Sequence, residues 1–423
     1  MVLGIVYALV YDYIYTTYIC DIFSYHGSGH HISWTINHLL LYVALAATPL
    51  LLYRGLHTVA SAFSFFVWFF AFIPLLNNLF TWGYPSVVWV SYSLTMYAFM
   101  CLFFATDNWC MLKRLFTAKH VKIKFQQIEW LIFFLYFVML VSNANNMHMV
   151  NFLQDSETMY DLRAENSMGG NYLVAWMRSA FLPLLLVCYL RNHSYEKYAM
   201  VFIAYLSVYM IDYQKMTFLY PFLLTGLYFL ASRGKRGFSE KFHIVLIAIF
   251  IIVPLLLISN LSNPTVYAIA AIFIMRTQCI EGMVGSTYFN FFCLHDHPYT
   301  YYNHINVVNA LTHANPYPQS IGLAVTGGDG NANGTFWLMD GVAAWGIMGI
   351  IIISVLFILF KSMFNSIGKK YEITFCVPVL FFGIQAMINM SLFTALNSCG
   401  FILLYLIFLF VDLNNGTKSI RHK

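Results

Sequence analysis

Residues 336–360 read FWLMDGVAAWGIMGIIIISVLFILF. Across this stretch the only charged residue is Asp340. A hydrocarbon core needs roughly 20 apolar residues per helix. The stretch therefore predicts a membrane span entered near Asp340, with Gly341, Gly346 and Gly349 inside it. The remainder of the chain agrees. Of 423 residues, 60% are apolar and only 9% are charged, where soluble domains carry about a quarter. Lipid is the solvent such a chain calls for. The 19% aromatic content suits a protein whose Tyr and Trp gather at membrane interfaces.

The same ruler, applied outward, predicts about twelve spans. They lie near 2–20, 38–53, 59–76, 86–106, 128–142, 173–190, 199–211, 217–231, 243–259, 336–360, 373–391 and 394–412. The expected fold class is all-α, a polytopic membrane protein with residues 1–423 as one integral membrane domain. The stretch from Val2 to Cys20 has no Lys or Arg before it and holds Asp12, so it reads as the first span and not as a cleavable signal. The eight cysteines form no CxxC pair, which gives no zinc pattern.

Cations orient the spans. With both termini cytoplasmic, eighteen of the 22 Lys and Arg residues fall in inside connections. Five lie in the basic, amphipathic stretch 107–127, which suits an anionic headgroup surface. The positive-inside rule favours this arrangement. It leaves two long outside loops, near 143–172 and 260–335. Within the second, TVYAIAAIFIMR (265–276) is too short to span and predicts a re-entrant or interfacial helix ending at Arg276.

Four cations remain on the outer side: Arg163, Arg178, Lys215 and Arg276. A cation at membrane depth is costly and usually faces a polar cavity or a partner. Guanidinium matches phosphate because its planar fork donates two parallel hydrogen bonds. The set would suit a diphosphate headgroup. Singly, each has a plainer reading. Arg163 is flanked by Asp161 and Glu165 and forms a surface pair in that reading, while Arg178 and Lys215 snorkel to the interface.

Histidine is also concentrated on that side, with His26, His30, His31, His148 and His304 among the residues involved. The run His295, Asp296, His297 matches no standard zinc signature. A neutral His or a carboxylate there suits a general base; His313, Asp296, Asp329 and Glu281 are candidates. The stretch TGGDGNANGTFWLMDGVAAWGIMG (326–349) joins a glycine-rich loop with two amides, Asn331 and Asn333, to the head of the span. It reads either as a loop above a small-residue packing face or as a surface that contacts sugar or headgroup. Cys279 and Cys293 share the outer loop, where a bridge would close about 15 residues and add roughly 3 kcal/mol.

The order of these features resembles the O-antigen polymerases, the Wzy-type repeat-unit polymerases of bacterial envelopes. YDLRAENSMGG resembles their first arginine loop and FIMRTQCIEGMVG their second. NANGTFWLMDGVAAWGIMG looks like their Asn-Ala-Asn, aromatic, Asp and Gly-x-x-Gly helix start. The resemblance implies a GT-C-type glycosyltransferase of the inner membrane, and it sets the expected partners. Undecaprenyl-diphosphate-linked oligosaccharide is the substrate, membrane lipid is the surroundings, and a chain-length-regulating co-polymerase and a flippase work alongside. It implies no nucleic acid, cofactor or metal. Arg163 and Arg276 would stabilise the leaving diphosphate, supported by Arg178 and Lys215, with Asn331 and Asn333 on the glycan. Asp340, Asp329 and His313, in that order, would be proton acceptors. A lipid-linked oligosaccharide flippase and an O-antigen ligase are the alternatives.

Overall fold

The computed structural model describes residues 1–20, 35–117, 123–150, 172–232 and 237–413. Arg163, His26, His30 and His31 lie outside the described residues, as does most of the first arginine loop. The described chain is mostly helical. Among the described residues, the strand pairing is one short parallel contact of Ile123–Lys124 with Val411–Asp412.

Among the described residues, seven helices are long and apolar enough to cross a membrane: Val2–Ile19, Val59–Thr81, Ser86–Ala105, Phe125–Ser142, Tyr172–Arg191, Pro264–Leu294 and Trp337–Lys369. Leu392–Ser398 and Phe401–Phe410, bent by 55° where they meet, make an eighth if counted as one span. Ile36–Leu51, Lys215–Leu230, His243–Ile258 and Ile373–Ala386 are apolar but shorter. The protein is an all-α polytopic membrane protein. Its chain forms two compact units.

The first unit comprises Met1–Met111, Ser239–Asn365 and Met387–Phe393. At its centre is Val59–Thr81, every residue of which is buried. Its phenylalanines fill the space around it, since Phe69 and Phe70 both pack edge-on to Phe250. Pro264–Leu294 runs alongside it in the same direction. Gly282 lies against Pro74 and Gly285 against Leu75, and further along Phe289 meets Tyr84. A Cβ on Gly282 would stand 2.8 Å from the Pro74 carbonyl oxygen. The glycines of GMVG are thus a close-approach groove, as small residues are between membrane helices.

This helix changes two expectations. The stretch 265–276 is not a short element ending at Arg276. It is the start of a 31-residue helix, because the apolar pattern continues through CIEGMVGSTYFNFFCL. The long loop expected over 260–335 is correspondingly shorter and follows Leu294. Cys279 and Cys293 sit fourteen residues apart on the same helix, an axial separation of about 21 Å. Both thiols are free, and the bridge does not form.

The segment over 336–360 is the larger correction, because it is a hairpin and not one span. Trp345 (φ −150°, ψ 26°) and Gly346 (φ 60°, ψ −131°) break the helix. Phe336 stacks on Phe357 at 4.8 Å, although a straight helix would hold them about 31 Å apart. The Trp337 indole N–H donates to Ser354 Oγ at 2.8 Å, and Gly341 lies against Gly349 and Ile350. The chain therefore folds back at 345–346. A half-helix of 337–344 packs against a long arm that starts after the turn. The small-residue reading of this stretch holds, with both partners inside one hairpin. A Cβ on Gly346 would approach the Tyr299 and Tyr92 hydroxyls at 2.8 and 3.1 Å.

The long arm is anchored at its far end by a buried ammonium. Lys361 Nζ donates to Asp107 Oδ1 at 2.7 Å and to Ser64 Oγ at 3.0 Å. It also donates to the Phe103 carbonyl. Asn365 Nδ2 donates to the carbonyl oxygens of Asp107 and Trp109. A fully buried cation is tolerable because it is paired and hydrogen-bonded.

The second unit comprises Leu112–Phe238, Ser366–Ala386 and Thr394–Lys423. Helices Tyr195–Asp212 and Lys215–Ser232 join through Tyr213 in the left-handed region. Glu129 accepts from the Tyr189 hydroxyl at 2.6 Å and from Lys197 at 2.5 Å. The helix Phe401–Phe410 ends against Lys370, whose Nζ donates to the carbonyl oxygens of Phe408, Leu409 and Val411. That is the usual completion of a helix C-terminus by a cation.

Two outcomes test this fold. Gly346→Ala forces a side chain into a glycine conformation, which costs about 1–3 kcal/mol, and lowers Tm in detergent. Gly330→Ala meets nothing within 4 Å and stays within about 0.5 kcal/mol of wild type. Equal Tm values for the two variants would contradict the hairpin. Alkylation in denaturant without reductant labels all eight thiols, read by intact mass; a pair of unlabelled cysteines would contradict the single long helix over 264–294.

Candidate functional site

The half-helix 337–344 is short, so tertiary contacts must satisfy its backbone ends. The chain enters it from the glycine-rich loop. Asn331, Ala332 and Asn333 close over the helix Ile321–Ala324: Ala332 N–H donates to the Gly322 carbonyl at 2.9 Å. A Cβ on Gly322 would collide with Asn331 Oδ1 and Asn333 Oδ1. Both amide side chains thus pack on this loop while their residues remain exposed. The backbone then passes inward to Thr335, which is fully buried.

Thr335 N–H donates to Glu281 Oε2 at 2.9 Å. Glu281 is itself fully buried, on the Pro264–Leu294 helix. A carboxylate at a helix N-terminus meets the positive end of the backbone dipole and an unsatisfied donor. This placement explains how an acid is held in the interior. Glu281 Oε1, Thr335 Oγ1 and the Tyr288 hydroxyl have no hydrogen-bond partner there. Tyr288 lies two turns beyond Glu281 on the same helix.

At its other end the half-helix is closed by strained backbone. Thr300 N–H and Tyr301 N–H donate to the carbonyl oxygens of Ala343 and Ala344, both at 2.9 Å. Tyr301 and Tyr302 hold φ of 48° and 66°, uncommon for bulky residues. Strain of this kind persists where surrounding contacts over-determine it. Burial pushes the Tyr302 phenol above its ordinary range, and the Asp340 charge adds to that.

Asp340 fixes the side of the half-helix. Its Oδ1 accepts from Ser391 Oγ at 2.7 Å and faces His304 Nε2 at 3.1 Å. Its Oδ2 accepts from Leu392 N–H at 2.6 Å. His304 Nδ1 faces Thr300 Oγ1 at 2.9 Å. The carboxylate is fully buried and engaged by three groups, so it is a clasp between three segments. A substrate hydroxyl has no free oxygen to reach there.

The other sequence candidates divide by unit. In the first, Arg276 is exposed and stands five residues before Glu281 on the same helix. His313 closes the helix Asn306–Thr312 in the left-handed region, and both His313 and Asp329 are exposed on loops. Asp296 is exposed with φ 53°. His297 stacks on Phe291 at 3.8 Å. Among the described residues no three His, Cys, Asp or Glu side chains converge as metal ligands do.

In the second unit, Arg178 donates to Asp212 Oδ2 at 2.8 Å. Its guanidinium also lies over the Phe382 ring, 5.1 Å from the centroid. Asp212 also accepts from Thr217 Oγ1 and from Gln214 N–H. Arg178 is therefore the partner of a buried carboxylate that shapes the turn before Lys215, which is half-buried. The pairing differs from the snorkelling arrangement, since the guanidinium meets a buried acid within the unit.

Sequence reasoning did not join Asp340 to His304, Ser391 and Leu392, or Glu281 to Thr335. These pairs lie 36 to 54 residues apart with no repeated motif. The one available signal was that two acids, Glu281 and Asp340, occur inside strongly apolar stretches.

Asp340→Asn places an amide N–H2 against groups that already donate, a mismatch of about 2–4 kcal/mol. The expected result is a large drop in Tm, with Asp340→Asn/Ser391→Ala falling by less than the sum of the single variants. Glu281→Gln can keep its acceptor on Thr335 N–H and stays within about 1 kcal/mol. A harmless Asp340→Asn would remove the clasp. No protein-family model matches this chain, and no curated protein or solved structure resembles it at a significant level.

Proposed function

We propose that this protein is a glycosyltransferase of the O-antigen polymerase type. It would join undecaprenyl-diphosphate-linked oligosaccharide units on the periplasmic face of a bacterial inner membrane, through about twelve spans in a GT-C-like arrangement with cytoplasmic termini. The observation that carries the reading is Arg276. It is an exposed residue, the thirteenth of a 31-residue apolar helix. A guanidinium near membrane depth suits a diphosphate, whose oxygens match its planar fork of donors.

The chemistry follows from that placement. A hydroxyl of the acceptor unit attacks the anomeric carbon of the donor glycan. The carbon–oxygen bond to the diphosphate breaks, and undecaprenyl diphosphate leaves with the bonding pair. Arg276 meets the charge that gathers on the diphosphate, a role that the sequence resemblance also gives to Arg163; such donors are worth a few kcal/mol each. The hydroxyl proton passes to an exposed loop group, Asp329 or His313. Asp340, with its oxygens occupied, positions the half-helix. Asn331 and Asn333 are exposed residues on the same loop, and Lys215 is the further cation that the resemblance assigns to the headgroup.

A transporter is the second reading, and one feature favours it. Broken helices with half-helix ends in the interior are common in transporters, and both the 345–346 hairpin and the 55° bend before Phe401 are of this kind. An O-antigen ligase would share the first reading's chemistry.

The test is to delete the gene in its host and resolve the surface glycan on a gel. Wild type, Arg163→Ala, Arg276→Ala and Asp329→Asn are then supplied at matched membrane levels. A polymerase gives collapse of the ladder to core plus one unit, restored by wild type and not by the arginine variants. Loss of every glycan-bearing band, the single unit included, would point instead to the flippase or the ligase. A full ladder from both arginine variants would remove the arginines from the site.

A further inference from the structure

At one end of the first unit a cavity of about 670 Å³ opens among four helix ends. It is bounded by the starts of Val2–Ile19 and Val59–Thr81, the end of Ile36–Leu51 and the start of His243–Ile258. Its size falls within the range of small-molecule sites. Apolar side chains such as Leu3, Leu50 and Ile247 form part of the wall. Arg54, His57 and His243 form the polar part, and among the described residues that line the cavity none is acidic. The turn that carries Arg54 and His57 depends on Gly55 at φ 90°. His243 is held edge-on to Tyr53 and Phe65, at 5.5 and 6.1 Å, and the buried Tyr53 hydroxyl has no hydrogen-bond partner.

The surroundings of the opening are as informative as its lining. Val2 is 72% exposed and Leu51 66%, beside a cavity whose polar groups are all donors or basic. Along the first helix, Val2, Val6, Leu9 and Tyr13 make a continuous exposed stripe that leads away from the cavity. Their spacing is that of one helix face. A soluble anion would gain nothing from that stripe. An amphiphile with a phosphate head and an apolar tail would use both features.

We propose that this cavity binds the phosphate headgroup of an anionic membrane lipid, with an acyl chain laid along the Val2–Tyr13 stripe. Arg54 supplies the charge-assisted bonds to phosphate, and His57 and His243 supply imidazole N–H donors. The apolar contact adds about 25 cal/mol for each Å² buried. The site is separate from the half-helix and from Arg276, and it stands whether or not the protein is a glycosyltransferase.

The test uses the full chain purified in a mild detergent and native mass spectrometry. Phosphatidylglycerol, phosphatidylcholine and inorganic phosphate serve as probes. The expected result is retention of one phosphatidylglycerol in preference to phosphatidylcholine, resistant to excess inorganic phosphate. Arg54→Gln/His57→Gln should weaken that retention about tenfold, while Lys369→Gln, a cation of the second unit, leaves it unchanged. Arg54 and His57 are exposed, so the paired variant should fold, and an unchanged Tm checks that it does. Equal retention of phosphatidylglycerol by the paired variant and wild type would overturn the proposal. So would equal binding of phosphatidylcholine, and so would displacement of the lipid by free phosphate, which would make the cavity a soluble-anion site.

Discussion

A backbone N–H that enters the interior of a membrane bundle must find an acceptor, because no water is there to take its place. In this protein the N–H of Thr335 finds Glu281, and much of the first unit follows from that bond. With its N-terminal end held, a short half-helix can exist inside the bundle. With Thr300 and Tyr301 covering its last carbonyls and Asp340 tying its side, each end has its partners. The cost is carried elsewhere, in two tyrosines forced to positive φ and in a carboxylate kept away from solvent. The Lys361–Asp107 pair does the corresponding work for the long arm of the hairpin. Polar interactions that would contribute little at a wet surface decide the architecture here.

The membrane class was legible from composition and from runs of about 20 apolar residues, and the structure keeps most of the expected helices in place. The misreadings share one physical origin. Hydropathy reports the solvent a residue prefers and says nothing of chain direction. The stretch 336–360 is as apolar as a span because both arms of the hairpin are buried in the same medium. The reversal rests on the backbone angles of Trp345 and Gly346, and glycines are too common in membrane helices to mark it. Pro264–Leu294 was misjudged the other way. Arg276 looked like an end, whereas an exposed arginine can stay on a continuing helix by turning its side chain outward.

The candidate site was legible residue by residue and not as an arrangement. Asp340, Glu281 and the Asn331–Asn333 motif all stood out as polar groups in apolar or glycine-rich surroundings. Their roles did not, since each depends on a partner brought in from a distant segment. Asp340 looked like a base because an isolated acid at the head of a span invites that reading. Ser391, His304 and Leu392 turn it into a clasp. Arg178 illustrates the same point with a cation: Asp212, 34 residues away, absorbs the charge that an outer-face arginine was expected to offer to a substrate.

The hairpin also bears on how the chain threads a bilayer. An ordinary helix of 33 residues, such as Trp337–Lys369 taken at face value, would be a single straight passage with length to spare. Here the first part descends and returns, so the tip at 345–346 comes back beside Tyr299 and Tyr92, near the loop from which the chain set out. A dip that returns to its own side adds no crossing. The contribution of this segment to the parity of the termini therefore comes from the long arm alone. An inserted reporter at the tip would share a compartment with the Tyr299 loop, which lies beside it.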